Sequence, residues 1–561
     1  MKIKKTDKFQ HTLSRRKALG IAGAGACTMM SNPLDLLING FANGILNKAH
    51  SEETDKIPRN YVHIGFRGGA PRYLWDGPLA PFESLNNIIP NIKTSTEFKS
   101  SDTKKLIHNH YKHNIAGIDI NLPTLWNSEI PTTSGIWIPM TDMAQNFLMI
   151  RGVNLQEDGH PNNYRKQVRP LGSAPSINGL VSDQMSTLLP AVRASSSPTG
   201  YRSSKGFSTV GIDTRDSNPL SRMFSSFRPG GDNISSAQVS RRDIVSTLYK
   251  SVMDKIGEEA QKNHTASSEL FKMRSNAKNT LKEGINDFEN AFAPLYDKYA
   301  ELMKMCYDQN HLMPGISDRK VATSDFDSNL TGKMGGGSYN VDDLRDTIQF
   351  SSIQTDYNNK QLNTARYFAI TEYLLVNGYC KSILFPFGSP GWAWDEHKGP
   401  AVSSLLHISM GFRILSACLH EFTQSLNRQI DPHTGNNLFD ETVIHLGGDF
   451  NRTPRVDGTG SDHGWQGGNG TLISGIIKKP IVIGNIYAAR GSTNGKHYGT
   501  WGHGAPVNVN GSNRVLSLGN LSSTITEMLR VKKIFPNEAS LIGGVVEGNV
   551  YSLIEKAKIV S

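Results

Sequence analysis

Cysteine is scarce in this chain, four among 561 residues, and that shortage excludes a small scaffold stapled by disulfides. Cys27 falls in an N-terminal leader, which leaves Cys306, Cys380 and Cys418 at spacings that fit no zinc or disulfide framework. At most one bridge can form among them, and Cys418 falls on an amphipathic seam where a thiol packs as a small hydrophobe. Long apolar runs are missing too: beyond the leader no segment reaches the roughly 20 residues needed to span a bilayer. Charge of one sign is also in short supply once it is placed along the chain. Sixty Lys and Arg against fifty Asp and Glu leave +10. Removing the seven basic residues of the first seventeen positions, with Asp7 and Asp35, leaves about +5 from Asn43 onward. A nucleic-acid footprint needs basic residues massed on a folded face, and this balance does not provide them. With 37% hydrophobic and 20% charged residues the composition is that of a globular chain. The length suits one large domain with insertions, or two domains.

What is present begins with Ser14-Arg15-Arg16-Lys17-Ala18-Leu19, followed by a short glycine- and alanine-rich segment from Gly20 to Met30. A basic region before a brief apolar one reads as a secretory leader, and the paired arginines resemble the twin-arginine export signal. The export machinery is thus an expected partner, and the periplasm or the outside of the cell the expected location. Gly40 and Ala42 suit a cut after Ala42. Ala24-Gly25-Ala26-Cys27 is faintly like a lipoprotein box without its leucine, so lipidation of Cys27 is the minor alternative to a soluble exported protein.

The mature chain reads as α/β. After the 1–42 leader, residues 43–235 form the N-terminal half of an α/β domain, with strands at Tyr61–Phe66 and Phe147–Ile150 that each end in an Arg-Gly turn. His160 follows in a polar loop. Over 236–310, apolar steps of three and four (Leu281, Ile285, Phe288, Phe292, Leu295) predict a helical insertion. Residues 311–343, with Gly335-Gly336-Gly337, read as a flexible loop lacking the Gly-Lys-Ser/Thr of a phosphate-binding loop. The C-terminal half, 344–561, alternates a helix ending near Gly378, a strand at Ser382–Phe387, a helix from Ala401 to Ile430, and strands at Thr442–Leu446 and Pro480–Ile483. Strand, helix, strand at such lengths implies a mostly parallel sheet with right-handed crossovers. Ligands then gather beyond the carboxyl ends of the strands.

Beyond those ends stand Gly391-Trp392-Ala393-Trp394-Asp395-Glu396-His397, Asp449-Phe450-Asn451-Arg452-Thr453-Pro454-Arg455 and Ser461-Asp462-His463-Gly464. Two carboxylates and two imidazoles on convergent loops suffice for a divalent cation, and oxygen with neutral nitrogen suits zinc or manganese. Nearby arginines suit the peripheral oxygens of a phosphate or sulfate ester. The plainer alternative stays open: Asp462-His463 in a glycine-rich loop as turn chemistry, and Arg452 and Arg455 paired with local carboxylates.

Taken together, the leader, Phe66-Arg67-Gly68-Gly69 after a strand, Gly-Trp-x-x-Asp-x-His at 391–397, Asp-Phe-x-Arg-Thr-Pro-Arg at 449–455 and Asp-His-Gly at 462–464 resemble domain of unknown function 1501. This uncharacterised bacterial family is grouped with the alkaline phosphatase and sulfatase superfamily. The resemblance runs in short islands from the leader to about Asn485. It implies an alkaline-phosphatase-like fold and one metal held by residues that correspond to Asp395, His397 and His463. A second metal in that superfamily takes an Asp-His pair after a strand and an Asp after the first strand. Asp449 matches the carboxylate of the pair, Phe450 stands where its imidazole would be, and Arg67 lies near the expected first-strand carboxylate. No Ser, Thr or Cys occupies the nucleophile's position. Gly159-His160-Pro161 falls where the family carries a Ser-His-Phe-like motif. The combined expectation is a metal site of Asp395, His397, Asp449 and His463, with Arg67, Arg452 and His160 facing a small anionic substrate. The corresponding function is hydrolysis of anionic esters, or non-catalytic ligand binding on the same fold.

Overall fold

A computed structural model describes residues 57–77, 110–185, 187, 189–193, 200–207, 209–212, 291–306, 320–322, 338–340, 362–387, 394, 401–454, 461–484, 486–488, 501–504, 506–509 and 511–542. The leader, residues 236–290 of the expected helical insertion, Asp395 and His397 lie outside the described residues.

The fold is α/β, built on an eight-stranded sheet with helices against both faces. In chain order its strands are β1 (Asn60–Phe66), β2 (Phe147–Val153), β3 (Val192–Arg193), β4 (Val210–Gly211), β5 (Ser382–Phe387), β6 (Thr442–Gly448), β9 (Gly468–Ile473) and β10 (Ile481–Ile483). A two-stranded ribbon of β7 (Asn451–Pro454) and β8 (Ser461–Gly464) stands outside the sheet. The spatial order is β10-β2-β9-β6-β1-β5-β3-β4. All neighbours pair in parallel except those of β9, which runs against both β6 and β2. The sheet is therefore mixed, mostly parallel as expected, with β9 the one reversed strand. β9 opens with Gly468-Asn469-Gly470, residues that favour turns and hide a strand from any reading of apolar runs.

β1 lies at the centre, buried along its whole length. Because side chains alternate across a strand, Val62, Ile64 and Phe66 enter one core while Tyr61, His63 and Gly65 face the other. The first core is filled by α3 (Leu362–Val376), α4 (Ala401–Asn427) and residues 291–306, with the Tyr299 ring 5.3 Å from that of Phe368 and tilted to it. Ile408, Phe412, Leu415, Leu419, Phe422 and Leu426 are all buried, as the predicted seam of α4 requires. The second core is covered by α1 (His160–Val168), α2 (Ile177–Gln184) and α5 (Leu518–Met528). α1 replaces the polar loop expected around His160; Pro161 in its first turn is a helix-start residue rather than a loop marker. Likewise, the 311–343 stretch read as a loop contains a short antiparallel pairing of 320–322 with 338–340. Cys306, Cys380 and Cys418 are buried and unbridged. Among the described residues no helix is long and apolar enough to cross a membrane.

β1, β5, β6 and β2 all run in the same direction, so their carboxyl ends share one sheet edge. The Arg67 turn, the chain after Gly448, the β7–β8 ribbon and the loop leading to His160 all start or gather there. Beneath that edge, within the second core, His63 and His445 meet at 3.1 Å through Nδ1, and the Tyr61 hydroxyl lies 2.9 Å from His445 Nδ1. Burial lowers His63 to about 3 and holds His445 well below the ordinary value, with the charges of His63 and Arg72 pushing His445 the same way.

Both imidazoles are neutral in the folded chain but take up protons near pH 6.5 once unfolded, so the unfolded state binds more protons below pH 6.5. Stability is therefore expected to fall as pH drops from 6.5 toward about 3, with His63 contributing a slope of about 1.4 kcal/mol per pH unit within that window. Urea unfolding across this range measures it, and His63→Gln should flatten the profile. An unchanged slope in the variant would contradict a neutral, buried His63.

Candidate functional site

The geometry of the edge starts with the turn after β1. Gly68 and Gly69 both have positive φ, +92° and +67°, a conformation that side chains oppose and glycine accepts. Gly69 has a second reason: a Cβ there would lie 2.5 Å from the Phe450 ring and 3.0 Å from Arg452 Nε. Successive amides in this conformation point the same way and make a small anion-binding concavity. The anion in it belongs to the chain. Asp449, 1% exposed, accepts hydrogen bonds from Gly68 N at 2.9 Å and from Gly69 N. On the opposite side of the turn, Arg452 donates to the carbonyls of Gly68 (2.6 Å) and Gly69 (2.9 Å). One acid and one base, three residues apart after β6, thus clamp the turn through its main chain.

Asp449 takes two further hydrogen bonds, from Phe450 N at 3.2 Å and from His160 Nδ1 at 2.6 Å. Each carboxylate oxygen offers two lone pairs, so four donors fill this carboxylate. In this arrangement Asp449, an expected metal ligand, orients the turn and His160. Arg452, expected to face an anion, is fully buried, and its guanidinium lies against main-chain carbonyls and 5.5 Å over the Phe450 ring.

Three expected site residues do come together: Asp449, His160 and His463. His160, at the start of α1, and His463, on β8, have ring centroids 4.6 Å apart in an edge-on arrangement. Phe450 backs both, 4.5 Å from His160 and 4.1 Å from His463. The residue standing where a second imidazole was expected is thus the apolar plate that sets the angle of two others. His463 Nδ1 is held at 2.5 Å by Asp158, a residue the motif reading passed over. The signal was there, since Asp158-Gly159-His160 has the same Asp-x-His spacing as Asp395-Glu396-His397. Burial lowers the His463 pKa, its Asp158 hydrogen bond opposes this, and the charges of Arg452 and His160 add to the lowering.

Two imidazoles are therefore each gripped through Nδ1 by a carboxylate. That contact places the ring proton on Nδ1 and makes Nε2 the basic atom of the neutral ring. Arg67, on the clamped turn, is exposed, with its guanidinium 5.1 Å above the Tyr164 ring. Trp394, adjacent in sequence to Asp395, donates from Nε1 to the Phe387 carbonyl at 2.7 Å and packs edge-on against Phe66, which fastens the chain at position 394 to the same sheet edge. Among the described residues no three His, Cys, Asp or Glu side chains are grouped to hold a metal ion. No family model, curated protein or solved structure matches the chain, so the family resemblance rests on the quoted motifs alone.

The two carboxylates differ in depth, and this gives a test. Asp449→Asn loses charge-assisted bonds in a buried setting and is expected to cost about 2–3 kcal/mol in denaturant unfolding. Asp158, 56% exposed, pairs in solvent, so Asp158→Asn should cost less than about 1 kcal/mol. Equal costs would contradict the structural role assigned to Asp449.

Proposed function

We propose that the chain is an exported hydrolase of small anionic esters, of the phosphate or sulfate type, working at the shared carboxyl end of β1, β6 and β2. The observation that carries this reading is the pair of carboxylate-held imidazoles, His160 on Asp449 and His463 on Asp158, set edge-on to each other, with the exposed Arg67 next to the glycine turn that Asp449 also holds. An imidazole whose Nδ1–H is fixed by a carboxylate takes a proton at Nε2, which suits it to activate water or to hold a cation. Arg67 neutralises the ester's charge, which grows on the peripheral oxygens as the bond breaks. Asp449 and Arg452 hold the Arg67 turn, and Phe450 excludes water from one side of both rings. The alkaline-phosphatase-like fold and the export route belong to this proposal and rest on the sequence motifs.

A zinc or manganese ion would draw on His463 together with Asp395 and His397 from the chain after β5. When bound, such an ion supplies a water whose pKa lies near 7, which serves a site without a protein nucleophile. A second reading, a non-catalytic ligand-binding protein on the same framework, is favoured by Asp449: its carboxylate is filled by hydrogen-bond donors from the chain itself.

The mature chain, purified without chelator, should be assayed for bound metal and for turnover of aryl phosphate and aryl sulfate esters. His160→Ala is expected to lower kcat/KM between about 10²- and 10⁴-fold, the usual contribution of a proton-transfer group. Absence of turnover on every ester after loading with zinc or manganese would overturn the hydrolase and leave the binding protein.

A further inference from the structure

Arg67 sits at the end of a flexible side chain on an exposed turn, yet three features of the fold restrict where its guanidinium goes. The first is Tyr164, whose ring lies 5.1 Å beneath the guanidinium. The second is the seat of that ring. Tyr164 lies against the backbone of Gly65, where a Cβ would come within 2.4 Å of Oη and 2.6 Å of Cε2. Only glycine at 65 lets the phenol rest there, and the residue is otherwise buried. The third is helical spacing: Tyr164 is four residues after His160 on α1, so both project from one face, about 5–6 Å apart at Cβ. Burial raises Tyr164 to about 12 and the nearby Asp449 charge adds to this, against the lowering by Arg67, so the group stays a neutral phenol near pH 7.

We propose that Tyr164 is a positioning residue that holds Arg67 over one turn of α1 from His160, so that both reach a single compact oxyanion. This inference rests on the hydrolase reading and narrows its substrate. The charge that Arg67 meets and the atom that His160 serves belong to one group, as in a phosphate or sulfate monoester. An ester whose charge sits on a remote carboxylate does not satisfy that spacing. A planar cation held over an aromatic face loses little further freedom when an anion arrives.

Inorganic phosphate and inorganic sulfate serve as probes, with binding to the full mature chain followed by calorimetry or by the ring signals of His160. Arg67→Ala is expected to weaken binding at least about tenfold, as loss of a charge-assisted bond does. Tyr164→Phe, which keeps the ring, should weaken it a few-fold, and Tyr164→Leu, which removes the cation–π contact, by about ten-fold. Gly65→Ala, which leaves both partners intact and displaces the ring, should resemble Tyr164→Leu; should it fail to fold, the two Tyr164 variants decide alone. In turnover the Tyr164 and Gly65 changes should raise KM for monoesters more than they lower kcat, whereas Arg67→Ala should lower kcat as well, because the charge it meets grows as the bond breaks. Binding that depends on Arg67 but is indifferent to Tyr164→Leu would overturn the positioning role while leaving the hydrolase reading standing. Anion binding that ignores Arg67→Ala would remove the basis of both.

Discussion

Everything at the working edge of this protein leans on one buried carboxylate. Asp449 ends the strand that lies beside β1 and reaches back across it, so that its oxygens fill the amide concavity of Gly68 and Gly69. Arg452, three residues on, seizes the carbonyls of the same two glycines. A turn held by both its donors and its acceptors has little freedom left, and Arg67 at its head inherits that order. The same carboxylate fixes His160, which meets His463 edge-on, and His463 in turn is fixed by Asp158. Removing Asp449 would release the turn, the imidazole and the arginine together.

The fold explains why such a small device can be built here. Parallel strands bring the ends of β1, β5 and β6 to one edge, and the reversal of β9 lets β2 end there as well. Residues far apart in sequence, Gly68, His160, Asp449 and His463, meet without long excursions of the chain. Glycine at 65 and 69 then allows aromatic rings to approach the backbone of the central strand and its turn. The buried polar pair His63 and His445 lies just beneath, kept neutral by desolvation.

Much of this framework was legible in the chain because the signals were strong and local. The runs at Tyr61–Phe66, Ser382–Phe387 and Thr442–Leu446 are apolar enough to be buried strands, and the seam of α4 repeats at helical spacing, so both survive any tertiary context. The strand-end rule then pointed to Arg67, Asp449 and His463. What was not legible depended on partners distant in sequence. β9 is glycine-rich and becomes a strand only because two neighbours pair with it. Nothing near Arg452 announces that its guanidinium will be buried under Gly68 and Gly69 rather than offered to a ligand. His160 reads as part of a loop because the run from Gln156 to Asn163 is polar and has no apolar period, and with the helix goes Tyr164, whose relation to His160 exists only at helical spacing. Asp158 shares the Asp-x-His spacing of the quoted motif, but the imidazole it holds, His463, is 305 residues away.

The most direct measurement of the central claim is ¹⁵N NMR of the His160 ring in the folded chain. The account predicts a proton on Nδ1 held in a short hydrogen bond, seen as a low-field resonance that disappears in Asp449→Asn. A His160 that carries its proton on Nε2 alone, with a spectrum indifferent to the Asp449 substitution, would contradict it.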